Sequence, residues 1–427
     1  LCITQGGVPA GTCVRAFFEN DLCRVADPET TAERDFSGYR QRYEDALFER
    51  VLPFWERHSL DDEHGGFFNC LGRDGRVYDR TKHAWMQGRQ AWMFATLYRD
   101  VEERPAWLRM ARSGLAFLQE HAVRPGGRVV YALTADGRPV EQTPPMLTEC
   151  FYTMALAACA RATGEAEQQR EAEEMLERLW TWAFEEEPAD GLDGQPRTQS
   201  FTTPMILLNV IEEVAGDDGS RYRREVEHCI ARLEKHVHAE TQTVRETVSP
   251  EGELLDSPAG RLLNPGHGIE AGWFLRHWAE RLGRGDLTQT ADDLVRWSFA
   301  RGWDDAFGGL FTYLDADGLS PVELTWHMKL WWPCCEALYA HLLRYARTGE
   351  AEAWDAFVKT DAYVFDRFPD ESPGKEYGEW FGYLDRRGAV THRFKGGARK
   401  GCFHVPRALW QCRRLLLELE DRPREEA

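Results

Sequence analysis

The chain reads as an all-α protein, an (α/α)6 barrel: a closed toroid of six helical hairpins with short β-hairpins across the active-site mouth. Three observations predict it. Glycine turns at Gly75, Gly137, Gly194, Gly252, Gly318 and Gly388 recur at intervals of 57 to 70 residues, and a repeat of near-constant period has to be explained before any other feature. Amphipathic helices with one charged face alternate with helices that are apolar nearly all round, so the first kind lies outside the second. Each hairpin stands between an outer helix and the next inner helix, so all hairpins and all inner-helix N-termini share one face.

The elements follow in order. An outer helix over 40–57 leads through Gly65-Gly66-Phe67-Phe68 and Arg73-Asp74-Gly75 to an inner helix over 83–98. The second repeat runs from 104–120 through Gly126-Gly127 and Ala135-Asp136-Gly137 to 148–160. The third runs from 165–183 through a degenerate turn at Asp190-Gly191-Leu192-Asp193-Gly194 to 201–214. The fourth runs from 221–236 through Arg245-Glu246 and Pro250-Glu251-Gly252 to 267–278. The fifth runs from 286–300 through Gly308-Gly309-Leu310-Phe311 and Ala316-Asp317-Gly318 to 327–340. The sixth runs from 349–366 through Gly378-Glu379-Trp380-Phe381 and Arg386-Arg387-Gly388 to 404–416. Asp-Gly and Glu-Gly turns flanked by aromatic and branched residues are the hairpin signal.

Around this barrel domain, residues 36–420, stand a poorly ordered extension at 1–35, without helix or strand periodicity, and a charged tail at 421–427. A net charge of −19 argues against nucleic acid and anionic membrane as partners. No apolar run approaches the length of a membrane span, and no signal peptide is visible. The 11 cysteines are odd in number and contain no Cys-x-x-Cys pair. They read as reduced thiols of a cytoplasmic protein, and no ligand pattern points to a metal.

Two histidines stand in matching settings, Asn264-Pro265-Gly266-His267 and Phe403-His404-Val405-Pro406, each where a turn enters an inner helix. The positive field of a helix N-terminus disfavours imidazolium, which keeps both rings neutral and available as bases near pH 7. Two opposed bases suit inversion of a C–H stereocentre. The first turns of the inner helices add His83, Trp85, Gln87, Arg89, Glu149, Tyr152, Glu270, Trp273, Trp326, Lys329, Trp331, Trp332, Glu336 and Arg407. Indoles with guanidinium and carboxylate forks are the lining of a sugar site. Glu270, one turn after His267, is placed to orient that imidazole. Lys395-Gly396-Gly397-Ala398-Arg399-Lys400-Gly401 reads as an anion-binding loop or a solvated one.

The segments Trp85-Met86-Gln87-Gly88-Arg89-Gln90, Glu149-Cys150-Phe151-Tyr152, Asn264-Pro265-Gly266-His267, Glu270-Ala271-Gly272-Trp273, Lys329-Leu330-Trp331-Trp332-Pro333, Tyr377-Gly378-Glu379-Trp380-Phe381-Gly382-Tyr383 and Lys400-Gly401-Cys402-Phe403-His404-Val405-Pro406-Arg407 together resemble the N-acylglucosamine 2-epimerase (renin-binding protein) family over about residues 38–420. The resemblance implies an (α/α)6 barrel that interconverts N-acetylglucosamine and N-acetylmannosamine. It implies His267 and His404 as the acid/base pair, and Arg89, Glu336 and Arg407 as residues that hold and open the sugar. It further implies a homodimer, and ATP or another nucleotide as an activator that is not consumed. Renin binding is weakly implied, because the leucine heptad of those relatives is degraded here, with Arg221 and His228 at heptad positions. The third inner helix reads Thr203-Pro204-Met205-Ile206-Leu207-Leu208 and lacks the histidine of related aldose–ketose isomerases and cellobiose epimerases. Other readings are such an isomerase or 2-epimerase, a glycoside hydrolase using Glu149 and Glu336, and a non-catalytic renin-binding protein.

Overall fold

The structure, a computed structural model, describes residues 34–143, 146–185, 197–370 and 377–422. The chain divides between Asp35 and Phe36, and the architecture is that of the second unit. The expected extension at 1–35, apart from Arg34 and Asp35, lies outside the described residues. So do the degenerate turn at 190–194 and most of the expected tail.

Six inner helices form a ring: α3 (Ala84–Asp100), α5 (Leu147–Thr163), α7 (Thr202–Ala215), α10 (Pro265–Leu282), α12 (Trp331–Thr348) and α14 (His404–Glu420). Each packs on the next, and Trp92 of α3 meets Phe403, the N-cap of α14, with ring centroids 5.3 Å apart. Their side chains are buried nearly all round, as in Cys150–Ala160 of α5. The outer layer is α4 (Pro105–Phe117), α6 (Ala166–Trp180), α8 (Arg223–Glu234), α11 (Leu287–Gly302) and α13 (Ala351–Arg367). Each outer helix packs on the inner helix before it in sequence, so the tight helical hairpins run from inner to outer. Their turns lie at the far end from the β-hairpins, and Gly164, Gly283 and Gly349 cap them in the left-handed region. The first outer element is α1 (Phe36–Glu44), a π-helical stretch (Asp45–Val51) and α2 (Leu52–His58). It packs on α14 and closes the ring, helped by Arg40–Glu420 at 2.9 Å and Arg413–Glu44 at 2.7 Å. Two more outer helices widen into π turns at Leu118–Ala122 and Thr181–Glu185, which simple helical periodicity did not anticipate. A further short helix, α9 (Pro258–Arg261), sits between the fourth hairpin and α10.

At the other end the strands do more than form local hairpins. β1 (Cys70–Leu71) pairs with β2 (Val77–Asp79), and β7 (Val237–His238) with β8 (Thr243–Val244). The strand leading into an inner helix pairs with the following repeat. β3 (Lys82–His83) joins β4 (Ala132–Leu133) and β5 (Pro139–Glu141), and β6 (Gln199–Ser200) joins β9 (Thr247–Val248). β10 (Leu262–Leu263) joins β11 (Leu314–Asp315), and β12 (Lys329–Leu330) joins β13 (Tyr383–Leu384) and β14 (Val390–His392). Lys395 and Gly396 donate to Leu71 O at 2.9 and 3.1 Å, which links the last repeat to the first.

Four of the turn glycines share a reason. Gly75, Gly137, Gly252 and Gly388 all have positive φ, and a Cβ there would press on His58, His121, Lys235 and Arg367. Each of those basic residues belongs to the end of the outer helix that precedes its hairpin. His58 and His121 are thereby packing groups.

Candidate active site

Asn264 caps α10: its Oδ1 accepts the His267 N–H at 3.3 Å, with Pro265 as the first helical residue. Gly266 has no Cβ because the Trp332 indole occupies that space. The same indole lies 5.4 Å from the His267 ring and 5.9 Å from the His404 ring, centroid to centroid. The two histidines, 137 residues apart in sequence, therefore flank one tryptophan.

Each imidazole is held by a carboxylate. His404 Nδ1–H donates to Glu336 Oε1 at 2.7 Å, and His267 Nδ1–H donates to Glu246 at 3.0 Å. This tautomer leaves Nε2 of each ring as the atom that takes or gives a proton. Neither Nε2 has a hydrogen-bond partner among the described residues.

Their charge states differ. Burial, then the positive charges of Arg89 and Arg407, push His404 well below the usual 6.5. Burial also opposes charge on His267, but Glu246 outweighs it through its charge and hydrogen bond, and the net direction is upward. The expectation that helix N-termini keep both rings neutral therefore holds for His404 and fails for His267, because the paired carboxylate dominates.

Arg407, one turn after His404, donates to Glu270 Oε1 and Glu336 Oε1, each at 2.7 Å. Trp273 Nε1–H donates to Glu336 Oε2 at 2.9 Å. Arg89 lies over Phe151 at 4.1 Å, Trp85 at 4.6 Å and Phe403 at 5.0 Å. Burial lowers its pKa to about 9, and its Nε has no hydrogen-bond partner. Glu270, Glu336 and His404 place ligand atoms within 4.8 Å of one another. Arg407 bonds both carboxylates, in the position a cation would take there.

His267, His404, Arg89, Glu270, Glu336 and Arg407 thus come together, and several expected neighbours do not. Glu270 does not orient His267; it serves Arg407, and Glu246 holds the imidazole. Glu149 is spent on local structure, accepting from Arg128 Nε and from the Val129 and Met146 N–H groups at 3.0 Å each. It is a helix cap, a structural role that the hydrolase reading did not give it. Trp331 is buried behind His404 against Tyr383, 5.3 Å away, and its neighbour Trp332 is the indole between the histidines. Tyr152 bonds outward to Glu171, and Gln87 to the backbone of Phe67. Lys329 is an internal cation, paired with Asp304 at 3.1 Å.

In the Lys395–Gly401 loop only Arg399 is exposed, and the two lysines turn inward. Both ammonium groups are fully buried, Lys395 against Asp370 at 3.0 Å and Lys400 against Glu379 at 3.0 Å. The loop instead receives the Trp85 indole N–H at Ala398 O.

Glu246 is the residue that the sequence did not reveal. Nothing local distinguishes it from any hairpin acid. Its backbone receives the Phe201 N–H and donates to Leu262 O, so the strands entering α7 and α10 pin it beside His267.

Comparison with known proteins identifies the chain's relatives. The family model for N-acylglucosamine 2-epimerase (GlcNAc 2-epimerase) matches residues 66–408. The chain is 44% identical over 385 residues to a Bos taurus protein named N-acylglucosamine 2-epimerase, covering 88% of this chain and 90% of that one. It is 43% identical over 386 residues to the Homo sapiens protein of that name, with coverage of 88% and 90%. Among solved structures, the cellobiose 2-epimerase of Spirochaeta thermophila superposes with a TM-score of 0.77 at 22% identity, over 92% of this chain and all of that one. A D-mannose isomerase gives 0.72 at 18% identity, over 91% of this chain and 99% of that one. These two likenesses establish the (α/α)6 barrel. With the matched model and the close relatives, the chain belongs to the N-acylglucosamine 2-epimerase family.

Proposed function

We propose that the protein is an N-acylglucosamine 2-epimerase that interconverts N-acetylglucosamine and N-acetylmannosamine with two histidines. The observation that carries this reading is the pair of His–Glu dyads beside one indole, His404–Glu336 and His267–Glu246, with opposite pKa directions. The opposite directions favour what an inversion needs: one base empty, one acid loaded.

The pyranose first opens to the aldehyde, assisted by the His404, Glu336 and Arg407 cluster. The C2 hydrogen is then alpha to a carbonyl. The neutral histidine removes it, the electron pair moves into an enolate with its oxyanion on C1 and the acetamido nitrogen on C2, and the protonated histidine delivers a proton to the opposite face. The reverse reaction uses the same pair with exchanged roles. Arg407 and Arg89 supply fixed positive charge for the developing oxyanion. Loss of either histidine is expected to cost at least about 10²-fold, the lower end for a general base. Nucleotide activation and dimerisation, implied by the sequence resemblance, belong to the same proposal.

The test is proton NMR of the purified protein with N-acetylmannosamine in D2O, with and without ATP. Appearance of N-acetylglucosamine carrying deuterium at C2 supports the reading. Folded protein that makes no new amino sugar with ATP present contradicts it.

A further inference from the structure

The barrel has a second cavity at the end opposite the hairpins. It holds about 790 Å³, opens to solvent, and is lined by the middle and last turns of the inner helices, with Trp273 and Arg407 as its floor. Those two residues bond Glu336 on their other side, so the cavity and the catalytic cluster are back to back along the barrel.

Its polar lining is unusual for a packed barrel end. The side-chain amides of Asn209 and Gln411 line the cavity while only 4% and 6% exposed. Among the described residues neither amide has a hydrogen-bond partner. Four donors and two acceptor oxygens thus stand open to the cavity, free of protein partners among the described residues. The charges around them are balanced: apart from Arg407, five arginines face five carboxylates. Most are tied to one another, as in Arg281–Glu212 at 3.3 Å and Arg347–Glu280 at 3.1 Å. No excess field selects an anion or a cation. Trp273 and Trp410 add aromatic surface.

We propose that this cavity is a second ligand site, which takes a neutral, polyhydroxylated molecule of pyranose size. Free amides match ring hydroxyls, indoles cover C–H faces, and the volume lies within the range of small-molecule sites, roughly 300–1,000 Å³. The catalytic cluster plays no part in holding this ligand beyond the shared floor.

The test is equilibrium dialysis with radiolabelled N-acetylglucosamine on the full chain. The wild type should bind one equivalent more than the Asn209→Leu/Gln411→Leu variant, with circular dichroism verifying the fold of both. The milder Gln411→Leu change should weaken one class of site about 5-fold, the effect of one lost hydrogen bond. Equal stoichiometry in wild type and folded double variant would overturn the proposal. So would displacement of the label from this site at lower concentration by glucose 6-phosphate than by glucose. The one-equivalent difference is read separately from turnover, so failure of the epimerase reading would show in the NMR conversion and leave this result intact.

Discussion

At the scale of single residues, the central contrast is between two imidazoles with the same tautomer and opposite pKa shifts. His404 is held down by burial and two guanidinium groups; His267 is held up by Glu246 against burial. Under the proposed mechanism the active form carries one proton on the pair. Activity should therefore fall at acid pH, well below 6.5, when His404 also becomes protonated. It should fall again at alkaline pH, above 6.5, when His267 loses its proton. Glu246→Gln removes the group that raises His267, so the alkaline limb of kcat/KM should move to lower pH while the acid limb stays. A pH–rate profile of that variant checks it; an unmoved alkaline limb would mean that Glu246 does not set the charge of His267. Both histidines were legible from their turn-to-helix settings, and Glu336, Arg407 and Arg89 from the inner-helix starts. Glu246 was not, because its role comes from strands donated by two neighbouring repeats. Glu149 and Glu270 were misjudged for the same kind of reason: sequence shows which helix turn an acid occupies, but not which donor reaches it first.

At the scale of elements, the barrel uses a recurring clasp. Lys82 on β3 bonds Asp61 at 2.7 Å and the Gly65 carbonyl at 2.6 Å; Lys329 on β12 bonds Asp304 at 3.1 Å and the Gly309 carbonyl at 3.2 Å. Both lysines are fully buried, and each ties the strand entering an inner helix to the two-glycine turn of its own repeat. Lys395 with Asp370 is a third instance, from the loop that closes the ring. Breaking such a pair strands a buried carboxylate. Lys82→Met should lower stability by roughly 3–5 kcal/mol, measured by chemical denaturation, whereas the exposed pair Arg104–Glu102 should tolerate Arg104→Ala with a change within about 0.5 kcal/mol. The clasp was hidden in the sequence because lysine beside an apolar helix reads as a mouth residue. A different element effect is expected at His341 of α12, whose two ring nitrogens are buried without partners among the described residues, against Phe299 at 4.4 Å. His341→Leu should stabilise the protein by about 1 kcal/mol, seen as a raised thermal midpoint; a lowered midpoint would show that the ring has a partner it needs.

At the scale of the whole molecule, the twelve alternating helix segments were legible to within a few residues at most ends, because burial on all sides and burial on one side leave different patterns. The handedness of the pairing was not: turns suggested units running from outer to inner helix, while the tight hairpins run from inner to outer and α1 returns to close on α14. Strand exchange between repeats was equally silent, since two-residue strands carry no periodicity. The closed ring also buries titratable groups that do not protonate in place. Burial lowers His341 to about 3 and His236 to about 4, and holds His404 well below 6.5. Below pH 6.5 the unfolded chain takes up protons at these positions that the native state refuses, so stability should fall as pH descends through 6.5. Thermal midpoints across pH 7.5 to about 5 check the sign; a midpoint that rose on acidification would contradict it.

The most direct measurement is C2 hydrogen exchange in D2O by the two single-histidine variants, His404→Asn and His267→Asn, each given N-acetylglucosamine and N-acetylmannosamine separately. Two opposed bases predict that neither variant interconverts the sugars, and that each still exchanges the C2 hydrogen of one epimer, a different one for each variant. Exchange of both epimers by a single variant, or interconversion at near-normal rate, would contradict a pair of histidines acting on opposite faces.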